Sequence, residues 1–299
     1  MSGKTILFIV AGGLILLGII VCVIGFAVGG FSMESVGGGG DWEEKSFGVA
    51  PLTEEIQNIV IEDSNRAIII EASSDDALHI LVAENKYGTY ESSTVDGTFR
   101  LTYRDNRKKW YHYVSMFQGW GTWDHPVRVQ IPRDYAGQLN VETDNGKITL
   151  EDLTQLGDVS LRTSNGLVEI SDVAAHSIKA RTSNGAVNLD MVTATDAVEA
   201  ITSNGRTSLT DVSAKDISAK TSNGAVLIDE IDAQNSISLR TSNGTIKGTI
   251  VGESDDFRIT SDVDLGSNSL TNRGSRNAEK TLDASTSNGA IAVTFTKDD

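Results

Sequence analysis

The tetrapeptide Thr-Ser-Asn-Gly begins at Thr163, Thr182, Thr202, Thr221, Thr241 and Thr286, and the variant Thr143-Asp144-Asn145-Gly146 precedes them. Glycines 146, 166, 185, 205, 224 and 244 are separated by 20, 19, 20, 19 and 20 residues. So constant a period marks stacked units, each too small to bury its apolar face alone. Within Ile178-Lys179-Ala180-Arg181-Thr182, apolar or Thr residues alternate with charged ones, the pattern of a strand with one buried face. Asn184-Gly185 then makes a sharp turn, where a positive φ is expected, and Val187 and Leu189 resume the alternation. Val192 adds an inward residue at the next bend, which gives five or six inward positions per rung and a thin interior.

Helical periodicity fits none of the repeats. No Pro follows Pro132, and no Phe, Tyr or Trp lies between Tyr135 and Phe257. Every rung runs the same way, so equivalent strands stack as parallel neighbours about 4.8 Å apart. The expected fold is all-β, a single-stack parallel β-solenoid with 19- to 20-residue rungs, preceded by one N-terminal transmembrane helix. A β-propeller needs blades of about 40 residues, twice this period. Stacking converts the turns into files, Asn165, Asn184, Asn204, Asn223, Asn243 and Asn288 beside Gly166, Gly185, Gly205, Gly224, Gly244 and Gly289. The Asn file reads as a structural ladder of amides bonded from rung to rung. Asp63-Ser64-Asn65-Arg66 lines up as an early rung with Arg66 at the glycine position. Thr260-Ser261-Asp262-Val263 reads as a degenerate late rung, followed by a loop within 266–280 and a last rung over 282–295.

Residues 6–28 carry no charge over 23 positions, enough for a helix to cross a bilayer core of about 30 Å. The apolar region of a cleaved signal is shorter, about 7 to 15 residues, so an uncleaved anchor is expected. Lys4 precedes the run and Glu34, Asp41, Glu43 and Glu44 follow it, which places residues 1–5 in the cytoplasm and the solenoid outside the cell membrane. Gly18, Cys22, Gly25 and Gly29 share one helix face through which the anchor can self-associate, although glycine is common in membrane helices generally. Residues 29–41, with Gly37 to Gly40, form a flexible linker. The strand-rich part 42–135 follows, and 136–299 holds the regular repeats.

The net charge of −16, from 25 basic and 41 acidic residues, argues against nucleic acid as a partner. Cys22 is the only cysteine, which excludes a disulfide framework. No cofactor or metal motif appears. The excursion 107–125 gathers Lys108, Lys109, Trp110, Tyr111, Tyr113, Trp120 and Trp123, rings and cations suited to an anionic glycopolymer or lipid headgroups, or else to covering an open end of the stack. Arg162, Arg181, Lys220 and Arg240 precede successive Thr residues and should form a basic stripe interrupted by Ile201. Such a stripe has the pitch to engage a polyanion such as teichoic acid, or is a solvated face. Asp152, Asp172, Asp211 and Glu230 should form an acidic file broken by Met191, better suited to turn formation than to Ca²⁺, since the GGxGxD pattern is missing.

An anchor, a Gly-rich tether, the lead-in ending Pro126-Val127-Arg128-Val129-Gln130-Ile131-Pro132 and the Thr-Ser-Asn-Gly rungs together resemble the bacterial toastrack family, whose members carry adhesin labels and include LiaG-like envelope proteins. The resemblance covers about Phe47 to Phe295. It implies a β-solenoid outside the membrane and an association with envelope-stress membrane proteins, and it carries no catalytic residues onto this chain. Because other β-helices are carbohydrate enzymes, a cell-wall polysaccharide lyase or hydrolase is the alternative. His79, His112, His125 and His176 lack metal-ligand spacing, and His112 with His125 is the only constellation that could serve it. The expectation is a non-enzymatic protein acting by binding or scaffolding at the cell envelope.

Overall fold

The structure is a computed structural model describing residues 42–49, 56–106, 125–271 and 273–298. Trp42–Asn106 and Thr122–Asp299 belong to one compact unit; the second unit, Met1–Asp41 with Arg107–Gly121, lies outside the described residues. The anchor expected at 6–28 and the linker at 29–41 therefore lie outside them too, as do Lys108, Lys109, Trp110, Tyr111, Tyr113, Trp120 and Trp123. Among the described residues no helix is long and apolar enough to cross a membrane.

The lead-in contributes β1 (Glu43–Val49), β2 (Asn58–Glu62), β3 (Ile68–Ala72), β4 (Leu78–Glu84), β5 (Gly88–Val95), β6 (Thr98–Asp105) and β7 (Val127–Ile131). The repeats form β8 (Gln138–Thr143), β9 (Ile148–Thr163), β10 (Val168–Arg181), β11 (Val187–Ala194), β12 (Ala197–Ile201), β13 (Thr207–Lys220), β14 (Val226–Thr241) and β15 (Ile246–Ile250). A 3-10 turn, Ser254–Asp256, leads to β16 (Phe257–Leu265), β17 (Lys280–Asn288) and β18 (Ile291–Phe295). From β8 to β15 each rung pairs parallel with the next in the register set by the repeat: Val168 faces Ile148 and Val187, and Ile178 faces Val159 and Val198.

One rung buries Val168, Ile170, Val173, Ala175, Ile178, Ala180 and Thr182, seven positions where alternation alone indicates five or six. The extra ones arise at the bend, where Asp152, Asp172, Met191, Asp211 and Glu230 adopt φ of 50–60° and let the strand turn without breaking its pairing. The acidic file is thus a file of left-handed bend residues, which Asp tolerates better than most side chains. In the valine file, Thr207 stands between Val187 and Val226, fully buried, with a hydroxyl that has no partner among the described residues. Removing a desolvated, unpaired hydroxyl at constant shape is favourable. Thr207→Val is expected to stabilise the fold by about 1 kcal/mol in denaturant unfolding.

The turn file departs from expectation in one respect. None of Gly166, Gly185, Gly205, Gly224 or Gly244 has a positive φ. Glycine is required there because the rungs stack too closely for a side chain: a Cβ on Gly205 would lie 1.8 Å from the carbonyl oxygen of Gly185, and the other repeat glycines are equally crowded. Beside them the Asn ladder runs from Asn65 through Asn145, Asn165, Asn184, Asn204, Asn223 and Asn243 to Asn288, each Nδ2 donating to the Oδ1 below at 2.7–3.0 Å. The ladder's first member confirms Asp63–Arg66 as an early turn, with Arg66 in the glycine place.

Both ends depart from a simple coil. The β2–β3 rung lies between β8–β9 on one side and β6–β7 on the other, and β5 and β4 then pair antiparallel with β6 and β7. The N-terminal end is therefore closed by antiparallel strands, which repeat spacing does not reveal. At the other end β17 and β18 stack on β14 and β15, and β16 lies outside them. Val263, not Thr260, occupies the Thr file, paired with Thr286. The late rung is therefore real, but shifted by three residues and placed last in space, before the final rung in sequence.

Candidate functional site

The stack brings Arg162, Arg181, Ile201, Lys220 and Arg240 into one file in direct register, with Glu142 before them and Ser285 after. Its ends are neutralised. Arg162 pairs with Glu142 at 3.3 Å, and Arg240 pairs with Asp283. In the neighbouring file, Lys179 pairs with Glu199 at 2.8 Å. Among the described residues Arg181 and Lys220 have no ion-pair partner, so the available positive charge is concentrated mid-stack. Below Arg162 the face opens into a shallow cleft of about 300 Å³ lined by Glu62, Arg100, Asn140, Glu142 and Ser160, where Arg100 pairs with Glu62 at 2.5 Å.

At the foot of the Thr file, Asp63 replaces threonine and is buried. Its Oδ1 accepts from the Asn65 and Arg66 amides, each at 2.8 Å, as Thr Oγ1 accepts from glycine in the repeats. Its Oδ2 accepts from the Tyr90 hydroxyl. The Arg66 guanidinium donates to the Ala83 carbonyl and lies 4.7 Å from the Trp42 ring, whose centroid is 5.1 Å from that of the His125 ring, the two planes tilted by 41°. Sequence reasoning singled out His125 but missed Trp42 and Tyr90; nothing in their spacing marks them, since the partners that gather them are remote in the chain. His112, the other member of that constellation, lies outside the described residues.

Burial first, and the Asp63 carboxylate second, push the Tyr90 hydroxyl far above the usual phenol range; burial does the same for Tyr135, whose hydroxyl donates to the Gln138 carbonyl. A phenol with a raised folded-state pKa contributes stability below its unfolded value near 10 and loses it as pH rises beyond. Stability is therefore expected to fall above about pH 10, with Tyr90 and Tyr135 ionising only as the chain unfolds. Phenolate absorbance from both rings in the folded protein near pH 10 would contradict this.

The larger cleft, about 600 Å³, is lined by Ile56, Gln57, Pro132, Asp134, Tyr135, Asp158 and His176 among others. His176 Nδ1 lies 2.8 Å from Asp158, and His79 Nε2 lies 2.8 Å from Asp75; both pairs are exposed. Hydrogen bonds from the Ser73 hydroxyl and then His79 hold the Asp75 carboxyl below its usual value, the opposite of what a general acid needs. Among the described residues no group of His, Cys, Asp and Glu has the arrangement to hold a metal ion.

A parallel β-solenoid with closed turns, files of identical residues and a charged face defines the class. Within it, the chain belongs to the Toastrack family: the family model described as Toastrack DUF4097 matches residues 56–294. Solved structures similar to it include a putative adhesin from Bacteroides fragilis (14% identity, TM-score 0.49, covering 86% of this chain and 98% of that one). Others are from Parabacteroides distasonis (14%, 0.41, 86% and 98%) and Parabacteroides merdae (12%, 0.40, 85% and 97%). No curated protein matches the sequence.

Proposed function

We propose that this chain is a single-pass membrane protein that presents its toastrack solenoid outside the cell and acts there by binding an anionic envelope polymer, without catalysing a reaction. The observation that supports this reading is the file containing Arg181 and Lys220: cations without ion-pair partners among the described residues, held on a rigid sheet on either side of Ile201 in a strongly acidic protein. A polymer with regularly spaced phosphates meets both cations together, and divalent contact compensates for weak individual pairs. At the bends Asp152, Asp172, Asp211 and Glu230 take the left-handed backbone conformation that turns the strand, which gives that acidic file a structural role.

The test is binding of the full chain, in detergent, to poly(glycerol phosphate) and to isolated cell walls across a salt series. Binding should weaken with salt, and Arg181→Glu with Lys220→Glu should reduce it by about tenfold or more. Binding that is absent, or indifferent to both substitutions, would overturn the proposal. Crosslinking in intact membranes gives a separate readout: a captured membrane protein in place of polymer would favour an envelope-stress role.

A further inference from the structure

The Asn ladder stops before the stack does, and its last member is held differently from the rest. Seven Asn-Gly pairs lie in it, from Asn145 to Asn288, and six of them share the sequence Ser-Asn-Gly. In the first six the carboxamide is fixed on both sides: its Nδ2 donates to the Oδ1 before it, and its own Oδ1 accepts from the Nδ2 after it, at 2.7–3.0 Å. Asn288 donates to Asn243 at 2.9 Å, but the next place in its file belongs to Leu265, which pairs with Asn288 in register and has no side-chain amide to give. The file of turns itself continues, since a Cβ on Gly266 would lie 1.7 Å from the Gly289 carbonyl oxygen. Asn288 is exposed, and its Oδ1 accepts no hydrogen bond among the described residues.

Asparagine is chemically labile, and most so before glycine, where no side chain obstructs attack by the following amide nitrogen on the carboxamide carbon. The new N–C bond closes a five-membered succinimide, the Cγ–Nδ2 bond breaks, and Nδ2 leaves as ammonia with the proton given up by the attacking amide. Water then opens the ring at either carbonyl and leaves aspartate or isoaspartate. In the ladder each carboxamide is aimed along the stack at its neighbours, so ring closure requires it to turn away and break the bonds that hold it. Four inner sites also restrain the nucleophile, since the amides of Gly166, Gly185, Gly205 and Gly224 donate to threonine Oγ1 at 3.1–3.2 Å. The Gly289 amide is held as well, by the Leu265 carbonyl at 3.0 Å, so what sets Asn288 apart is its carboxamide. We infer that Asn288 is a site of spontaneous deamidation, the one Asn-Gly of the chain that the fold leaves half-released, while the ladder protects the other six. One hydrogen bond fewer to break corresponds to about fivefold in rate. Conversion sets a carboxylate oxygen against Asn243 Oδ1 where a donor had been. Asn243 then becomes the end of the ladder, and loss proceeds inward from the C-terminal end of the stack.

The test is a time course of the full chain in detergent, warmed at mildly alkaline pH, with aspartate and isoaspartate located by peptide mapping in a mass spectrometer. Asn288 should convert about fivefold faster than any of the other six in the folded protein, and all seven should convert at similar rates in urea. Leu265→Asn supplies the missing donor and should slow Asn288 about fivefold, whereas Leu265→Ala supplies none and should leave its rate unchanged. Leu265 is 69% exposed, so neither substitution removes core packing. Asn288→Asp should speed Asn243 about fivefold by making it the end of the ladder. Equal rates in the folded protein, an Asn288 that leads in urea too, an Asn288 indifferent to Leu265→Asn, or an Asn243 indifferent to Asn288→Asp would each overturn the proposal.

Discussion

Gly205→Ala is expected to destabilise the solenoid by about 3 kcal/mol or more. The new Cβ would sit 1.8 Å from the Gly185 carbonyl oxygen and 2.5 Å from its carbon, both main-chain atoms that cannot rotate away. Relief requires two rungs to separate, and separation lengthens the Asn204–Asn184 amide bond and the Thr202–Gly185 bond together. Among the described turns aligned with the Asn ladder, the place is held by a larger residue only at Arg66, whose side chain runs out to Ala83 and Trp42. Urea unfolding of the variant against the parent checks this; a loss below about 1 kcal/mol would mean that the rungs are not packed this closely.

Thr202→Val is expected to cost about 2 kcal/mol. The Thr202 hydroxyl does two things in a buried place: it donates to the Gly185 carbonyl at 2.8 Å and accepts from the Gly205 amide at 3.2 Å. Valine fills the same volume and leaves the half-buried Gly205 amide and Gly185 carbonyl without the hydroxyl they share. Thr207→Val, five residues on, makes the same chemical change with the opposite expected sign, because the Thr207 hydroxyl has no partner among the described residues to lose. Thermal or urea unfolding of the two variants side by side separates hydrogen-bond loss from any general effect of removing a threonine; a shift of the same sign in both would refute the assignment of roles.

What the chain shows before folding is whatever repeats. The period, the inward files, the Asn ladder and the early turn at Asp63–Arg66 were all legible, because each is a consequence of stacking equal lengths of chain and each residue's neighbours follow from the count. The reason for the glycines was not legible. A turn glycine fits a positive φ and a close approach equally well, and only coordinates distinguish them. The basic stripe was legible as a file, but its ends were not: Glu142 lies in the same file one rung earlier, and Asp283 comes from a strand 43 residues after Arg240. The ends of the stack escaped for the same reason. Insertion of β8 against β2, and of β17 between β14 and β16, makes chain order differ from spatial order. A periodic reading carries no information about where the period is interrupted.

The central claim is that successive turns lie one above another in straight files, and its most direct test is a set of distances along one of them. Spin labels on the turn serines, in the full chain with Cys22→Ser, should give separations that rise linearly with rung number, by about 4.8 Å per rung. Ser164 to Ser242 spans four steps, or about 19 Å; Ser164 to Ser287 spans five, or about 24 Å, although the latter pair is 45 residues further apart in the chain. Separations that instead follow chain distance, or scatter with no common increment, would contradict the coil.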